Sequence, residues 1–581
     1  MRGHYLAILP PDGLDVDEAF SHLYAALQTK GLCARYRLGA MTLFVTQHMP
    51  TLSLPGGGLL LGHLFTRDGA AVDSGSAFLE EEPAQLRRRI LERFWGSYLL
   101  LQPDAPEPDA ITVTRSPAAA GNVSCIHAIS EGGGFITSDI SLAVDARLYQ
   151  QRIDWDFIAQ RLGYPGIKTS RTGLADVREL LPGCTLSINR GDISTRPLWS
   201  PWDFVGPEHR YDNLRDAATQ VRRAIQNAVQ AWTAMDDTLL LELSGGLDSS
   251  IVAACLRHRN ARIICCNLTT PVPGVDEQPY ARAMASQLGV PLYTEQLTFD
   301  QARFEFAPAP DSVAPAVGPL QYAVDQTMAA VAERHDATAY YSGGGGDSVF
   351  CYLRTAAPAA DAWKTKGLRG AVTAIRDLAD MHQCTLWKAA RLTLAKRRRP
   401  PPSAFHPDPT FLAADVASMK PQAHPWFAAP ANALPGDRER IFDLAGNQLF
   451  QDQASRGTKH PLRFPLLSQP VMEACLRTPS WMWIDGGRNR AVARAAFATL
   501  LPPSVANRQS KATYMSYLGA VYERNKAQIA DFLLSGRLRS QGLLDERALR
   551  TFLATPLPAR DQSFLRVFDL CMVENWVRHQ P

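Results

Sequence analysis

The chain has no uninterrupted apolar run near the roughly 20 residues a helix needs to cross a bilayer, so no membrane-spanning segment is expected. It has no dominant charge either. Against 60 Lys and Arg stand 57 Asp and Glu, a net +3, and that balance gives no argument for nucleic acid or an anionic membrane as partner. The start, MRGHYLAILPPDGLDVDEAF, has no long apolar h-region and soon turns acidic; no secretory signal is read, and a cytoplasmic protein is expected. Ten cysteines form no Cys-x-x-Cys pair, and Cys265 and Cys266 sit together in an apolar segment. They read as core thiols, not metal ligands or disulfides.

What is present is the composition of a folded protein, 46% apolar and 20% charged. A length of 581 residues exceeds one hydrophobic core and implies several domains. Up to about residue 200, short β segments are joined by Gly- and Pro-rich turns: Leu43–Thr46, Leu59–Leu64, Tyr98–Leu101, Ile111–Thr114 and Gly134–Thr137. Helical patterns interrupt them at Glu18–Gln28 and Ala84–Phe94. The stretch Pro197-Leu198-Trp199-Ser200-Pro201-Trp202 is a candidate boundary. Beyond it helix and strand alternate: helix Leu214–Trp232, strand Thr238–Leu243, helix Ser249–Arg257, strand Ile263–Cys266 and helix Glu277–Leu288. That order predicts a parallel sheet covered by helices. After Asp347 the pattern is mostly helical, broken between Arg397 and Gly436 by a segment with nine prolines, which reads as a functional loop or a disordered connection.

The strongest chemical signal is Ser244-Gly245-Gly246-Leu247-Asp248-Ser249-Ser250, between a strand and a helix. Its glycines let the backbone approach a ligand, its hydroxyls donate, and the helix N-terminus turns unpaired N–H groups toward an anion. The Gly-Lys-Ser/Thr ending of a Walker A loop is missing. Asp248 beside bare phosphates calls for a bridging cation, which argues for Mg2+ between carboxylate and pyrophosphate. A second glycine turn, Ser342-Gly343-Gly344-Gly345-Gly346-Asp347, follows strand Thr338–Tyr341. Ligands of open α/β sheets lie at that strand edge, so Asp248 and Asp347 could flank the metal from two strands.

These two strings, the run Arg490-Ala-Val-Ala-Arg494, Leu501-Pro502-Pro503 and Arg508-Gln509-Ser510-Lys511 resemble asparagine synthetase and its relatives in order and spacing. Asp276-Glu277, Tyr280-Ala281-Arg282 and Arg463-Phe464-Pro465-Leu466 fit weaker landmarks of that family. The resemblance implies an α+β layered N-terminal-nucleophile-like domain over 1–205. An α/β PP-loop (adenine nucleotide alpha hydrolase-like) parallel-sheet domain with helical extensions would follow over 206–581. It further implies that ATP phosphates lie on Ser244, Gly245, Gly246, Leu247, Asp248, Ser249 and Ser250. Leu243, Asn267, Leu268, Ser342 and Gly343 would lie along the nucleoside, Asp248 and Asp347 would bind Mg2+, and Lys511 would neutralise charge developing on an acyl-adenylate. AMP and pyrophosphate would be the products.

Departures from the family bear on the substrate. Leu91-Glu-Arg-Phe94, Arg115-Ser-Pro117 and Leu181-Pro-Gly183 look like its glutaminase domain, whose nucleophile is a cysteine directly after the initiator Met. Here that residue is Arg2, which cannot attack an amide, and Cys33 lies too far along to replace it. An amine on the substrate itself must then attack. Two kinds of relative fit, β-lactam synthetases and lasso-peptide cyclases. At Gly344 asparagine-making synthetases have a glutamate, and β-lactam synthetases a tyrosine paired with a glutamate. A peptide α-amine, with a pKa of about 8, needs a strong base less, and a glycine leaves room for a peptide chain. The expected protein is a lasso-peptide cyclase joining the N-terminal amine of a leader-cleaved core peptide to an Asp or Glu side chain. Its expected partners are a leader peptidase and a leader-recognition protein, with neither nucleic acid nor membrane. Arg397, Arg398, Arg399, Phe405, Trp426 and Phe427 read as an exposed basic loop or, alternatively, as part of a peptide channel. A small-molecule amide ligase and a non-catalytic scaffold are the alternatives.

Overall fold

The structure is a computed structural model. It describes the whole chain except residues 1–2, 11–22, 24–26, 79–80, 104–109, 122, 131–132, 190–191, 257–260, 275, 400–402, 509–512 and 559. The expected helix at Glu18–Gln28 falls largely outside the described residues.

The first part is built on two six-stranded antiparallel sheets. Strands β1 (Tyr5–Leu9), β2 (Leu32–Leu38), β3 (Met41–Thr46), β4 (Thr51–Ser53), β5 (Leu59–Thr66) and β6 (Phe94–Pro103) are followed by β7 (Ile111–Arg115), β8 (Ile126–Ser130), β9 (Gly133–Thr137), β10 (Arg178–Glu179), β11 (Cys184–Asn189) and β12 (Asp192–Pro197). One sheet runs β10-β8-β9-β1-β3-β2 and the other β12-β11-β7-β6-β5-β4. Alternation explains the layering, because successive side chains leave a strand on opposite faces. Tyr5 and Ala7 pack against Leu61, Leu99 and Val113 of the facing sheet, whereas Leu6 and Ile8 pack outward on Ile158, Leu162 and the C-terminal helices. Beyond the second sheet, Leu60 and Leu100 meet Leu86 and Ile90 of helix Pro83–Arg93. Four layers result, helix, sheet, sheet, helix.

A five-stranded parallel sheet follows: β13 (Thr238–Glu242), β14 (Arg262–Thr269), β15 (Leu292–Gln296), β16 (Ala339–Ser342) and β17 (Leu462–Arg463). Its order is β15-β14-β13-β16-β17. The chain leaves β13 to one side for β14 and returns to its other side for β16, so the carboxyl ends of β13 and β16 flank a topological switch point.

The Trp-rich stretch is no exposed linker. Trp199 and Trp202 are buried, and their indoles donate to Glu473 Oε1 (3.2 Å) and the Trp426 carbonyl (2.9 Å). Lys168 joins Glu179 (2.9 Å) to Asp452 (2.6 Å), tying the β10 edge to the helical part. The proline-rich segment is packed from Ser403 onward, with Phe411, Leu412, Val416 and Trp426 buried and Leu412 bridged to Leu544. The expected loop is therefore a strap held down by hydrophobic burial. No helix among the described residues is long and apolar enough to cross a membrane.

Candidate active site

β13 places three buried leucines, Leu239–Leu241, in the sheet and ends in the glycine turn that feeds helix Leu247–Cys255. Gly245 is left-handed (φ 72°), and a Cβ there would stand 2.6 Å from the Ala281 nitrogen. Only glycine fits. The hydroxyls of Ser244 and Ser249 lie 2.9 Å apart; Ser244 N donates to Ser249 Oγ (3.2 Å) and Gly246 N to Ser244 Oγ (3.2 Å). The turn is thus braced from inside, and Ser250 Oγ is buried with no partner among the described residues.

The second turn is pressed against the first. A Cβ on Gly343 would lie 2.5 Å from Ser249 N, and one on Gly346 would lie 2.3 Å from Asp248 Cγ. This contact, together with the pairing of Glu242 and Ser342 in adjacent strands, brings Asp248 and Asp347 to one place. Both reach Arg490, whose Nη1 lies 2.8 Å from Asp347 Oδ1 and 3.1 Å from Asp248 Oδ1. Two carboxylates converging on one positive atom make a donor set suited to a divalent cation. With these carboxylates, and with the unpartnered Ser250 hydroxyl in the helix that follows the glycine turn, the residues present fit Mg2+ and a phosphate chain.

Arg508 braces the loop from the other side. It donates to the Gly245 carbonyl (3.1 Å), pairs with Glu277 (2.8 Å) and lies over the Tyr280 ring at 4.3 Å. Arg494 in turn holds the chain around Arg508, donating to the carbonyls of Ala506 (2.6 Å) and Arg508 (2.9 Å). Burial and the neighbouring Arg490 and Arg488 cations lower the Arg494 pKa to about 10.

Of the residues expected from the sequence, Ser244 through Ser250, Ser342, Gly343 and Asp347 come together at the switch point. Leu243 and Asn267 are buried, and the Asn267 amide donates to the Leu243 carbonyl (2.8 Å), so its side chain ties β14 to the β13 loop. Leu268 follows it in β14 and is also buried. Lys511 lies outside the described residues. Arg490, Arg494, Arg508 and Glu277 stood in the sequence as landmarks without roles; their only signal was their place in those runs.

Two expectations about the substrate space need correction. Gly344 does not open onto free room, because a Cβ there would meet Phe464 Cε1 at 2.9 Å and Phe450 Cδ2 at 3.3 Å. Trp426, 1% exposed, faces no open channel and packs on Trp199 and His424. Arg397 is exposed and lies over Trp363 at 4.7 Å. Phe427 and His424 do line a pocket with Asp443 and Lys168. Burial raises the Asp443 pKa from its ordinary value, the Asp347 carboxylate adding to the rise and a hydrogen bond with Ser348 opposing it. Lys168 also borders a second pocket, lined by Ile126, Glu179, Asp452 and Trp576.

Comparison with known proteins matches the asparagine synthase family model to residues 220–578. The chain belongs to that family. It is 27% identical over 126 residues to asparagine synthetase [glutamine-hydrolyzing] 3 of Bacillus subtilis (strain 168), covering 21% of this chain and 20% of that protein. It is 36% identical over 102 residues to carboxyethyl-arginine beta-lactam-synthase of Streptomyces clavuligerus, covering 17% and 19%. The matches thus span about a fifth of each of these relatives. A solved glutamine phosphoribosylpyrophosphate amidotransferase from B. subtilis superposes on 50% of this chain and 65% of its own at 9% identity and a TM-score of 0.22, too low to carry an argument.

Proposed function

We propose that the protein is an ATP- and Mg2+-dependent amide ligase that activates a carboxylate as an acyl-adenylate, and that its substrate is a leader-cleaved core peptide closed into a macrolactam. The observation that carries the ligase reading is the meeting of Asp248 and Asp347, from the helix starts that follow adjacent parallel strands, beside the glycine turn at the switch point. These two carboxylates would hold the metal, which when bound neutralises pyrophosphate. A carboxylate oxygen of the peptide attacks the α-phosphorus of ATP and pyrophosphate leaves. The free N-terminal amine then attacks the acyl carbon, AMP leaves with the former carboxylate oxygen, and the nitrogen gives up one proton to solvent and keeps one as the amide N–H. Holding amine and acyl group together makes closure effectively unimolecular, worth roughly 7–11 kcal/mol.

One feature supports a peptide amine as the nucleophile. Gly344 has apolar rings behind it and no titratable side chain of its own, which suits an amine already partly free near neutrality. A leader peptidase and a leader-recognition protein are the partners this reading requires.

The segment shared with a β-lactam synthase and the filled space at Gly344 favour a second reading, a small-molecule amide ligase with a closed site. Mass spectrometry of the protein with Mg·ATP, the leader peptidase and candidate core peptides separates the two. AMP, pyrophosphate and a peptide lighter by one water, all lost in Asp248→Ala, are expected. AMP formed with small amino-carboxylates alone would select the second reading, and no nucleotide turnover with any substrate would leave a non-catalytic scaffold.

A further inference from the structure

We propose that the hairpin of helices Ala357–His382 and Leu386–Arg398 is a docking surface for an anionic lipid bilayer. Seven large apolar side chains stand exposed among the described residues, and five of them belong to this hairpin: Leu368, Val372, Leu386, Trp387 and Leu392. Leu368 is 66% and Trp387 78% exposed. Concentration on one hairpin separates them from the scattered apolar residues any surface carries.

The hairpin has an inner face that accounts for its folding. Ala371, Ala374, Leu378 and Ala389 are buried, Lys396 pairs with Glu439, and Arg397 lies over Trp363. The apolar residues left outside are surplus to that packing. Helical spacing gathers them with cations, since residues four apart share a face. Leu368 and Val372 run on to Arg376, Trp387 to Arg391, and Lys388 to Leu392.

Residues 357–399 hold ten Lys and Arg against three Asp, a net +7, in a chain whose total is +3. Everything outside the hairpin is therefore net acidic, and the near-neutral average conceals a local positive field. Of the three acids, Asp361 is buried and only Asp380 is fully exposed. Cations interleaved with Trp and Leu on an outward face match the lipid interface, where the apolar groups enter the acyl boundary and the cations meet anionic headgroups. A nucleic acid would use the cations and leave the aliphatic chains in water. The core of a protein interface is depleted in lysine.

Flotation of the full chain with phosphatidylcholine vesicles, and with vesicles containing 30% phosphatidylglycerol, tests the assignment. Binding to the anionic vesicles only, weakened by 0.5 M NaCl, is expected. The double variant Leu386→Ser, Trp387→Ser should lower partitioning about tenfold or more, and Arg369→Glu with Arg391→Glu should abolish it. Circular dichroism of both variants should match the parent, since these side chains face solvent. Absence of binding to anionic vesicles, or binding unchanged in both variants, overturns the proposal. Saturable binding to polyglutamate without vesicle binding overturns it in favour of an acidic polypeptide.

Discussion

The guanidinium of Arg490 lies 2.8 Å from Asp347 and also meets Asp248, 242 residues earlier, at 3.1 Å. Arg490 caps helix Ala491–Phe497 from a left-handed backbone conformation (φ 52°), sparsely populated by residues with a side chain. Arg490 thus offsets charge on the two carboxylates proposed to hold the metal, so Arg490 and a divalent ion would compete for the same oxygens. In Arg490→Ala, Mn2+ measured by titration without nucleotide should bind about tenfold tighter or more. The metal-free melting midpoint should fall, because both carboxylates then lose their contact with the Arg490 guanidinium. Equal Mn2+ affinity in parent and variant would show that Arg490 does not compete.

Removing the oxygen charge should act the other way. Asp248→Asn keeps the shape of the side chain and leaves the Arg490 contact weakened but present. Mg·ATP-dependent pyrophosphate exchange should fall about 100-fold or more, with far-UV circular dichroism unchanged. Exchange within a few-fold of the parent would place the metal elsewhere.

Much of this arrangement was legible in the chain. Strand Ile111–Thr114 was expected one residue short of its observed end, and helix Leu214–Trp232 also ends one residue later. Runs of buried apolar residues with glycine punctuation are local signals, and the two glycine turns announced the switch point. What failed was set by partners far away in sequence. Gly344 looked roomy because Phe464, which fills the space, comes 120 residues later. The bond from the Asn267 amide to the Leu243 carbonyl was not visible in the sequence because it depends on strand register. The prolines near Trp426 suggested a loose loop, yet burial of four large side chains fixes the strap. The net +7 of residues 357–399 was hidden by averaging charge over the whole chain.

The filling of position 344 yields its own test. Gly344→Ala forces a methyl group onto Phe464 and should cost about 1–3 kcal/mol of stability, as overpacking does. In the background of Phe464→Leu the same change should cost clearly less, because the ring edge that it strikes is gone. Urea unfolding of the four proteins of this cycle measures the coupling. Additive losses would mean that the ring already moves aside freely.

The acid limit of stability should lie with buried histidines. Burial lowers the pKa of both His127 and His424 to about 4. His424 takes a hydrogen bond on Nδ1 from the Trp426 amide (3.1 Å) and meets Gln448 Oε1 through Nε2 (3.1 Å), a pattern only the neutral Nε2–H ring satisfies. In the unfolded chain a histidine takes up its proton near pH 6.5, so between pH 6.5 and 4 the unfolded state binds more protons than the folded one. Stability therefore falls as pH drops through that window and levels off below it, by up to about 3 kcal/mol for each histidine. Urea unfolding at pH 7 and pH 5 should show this loss, and His424→Gln, less stable at pH 7, should lose less between the two. An equal loss in parent and variant would assign the acid sensitivity to other groups.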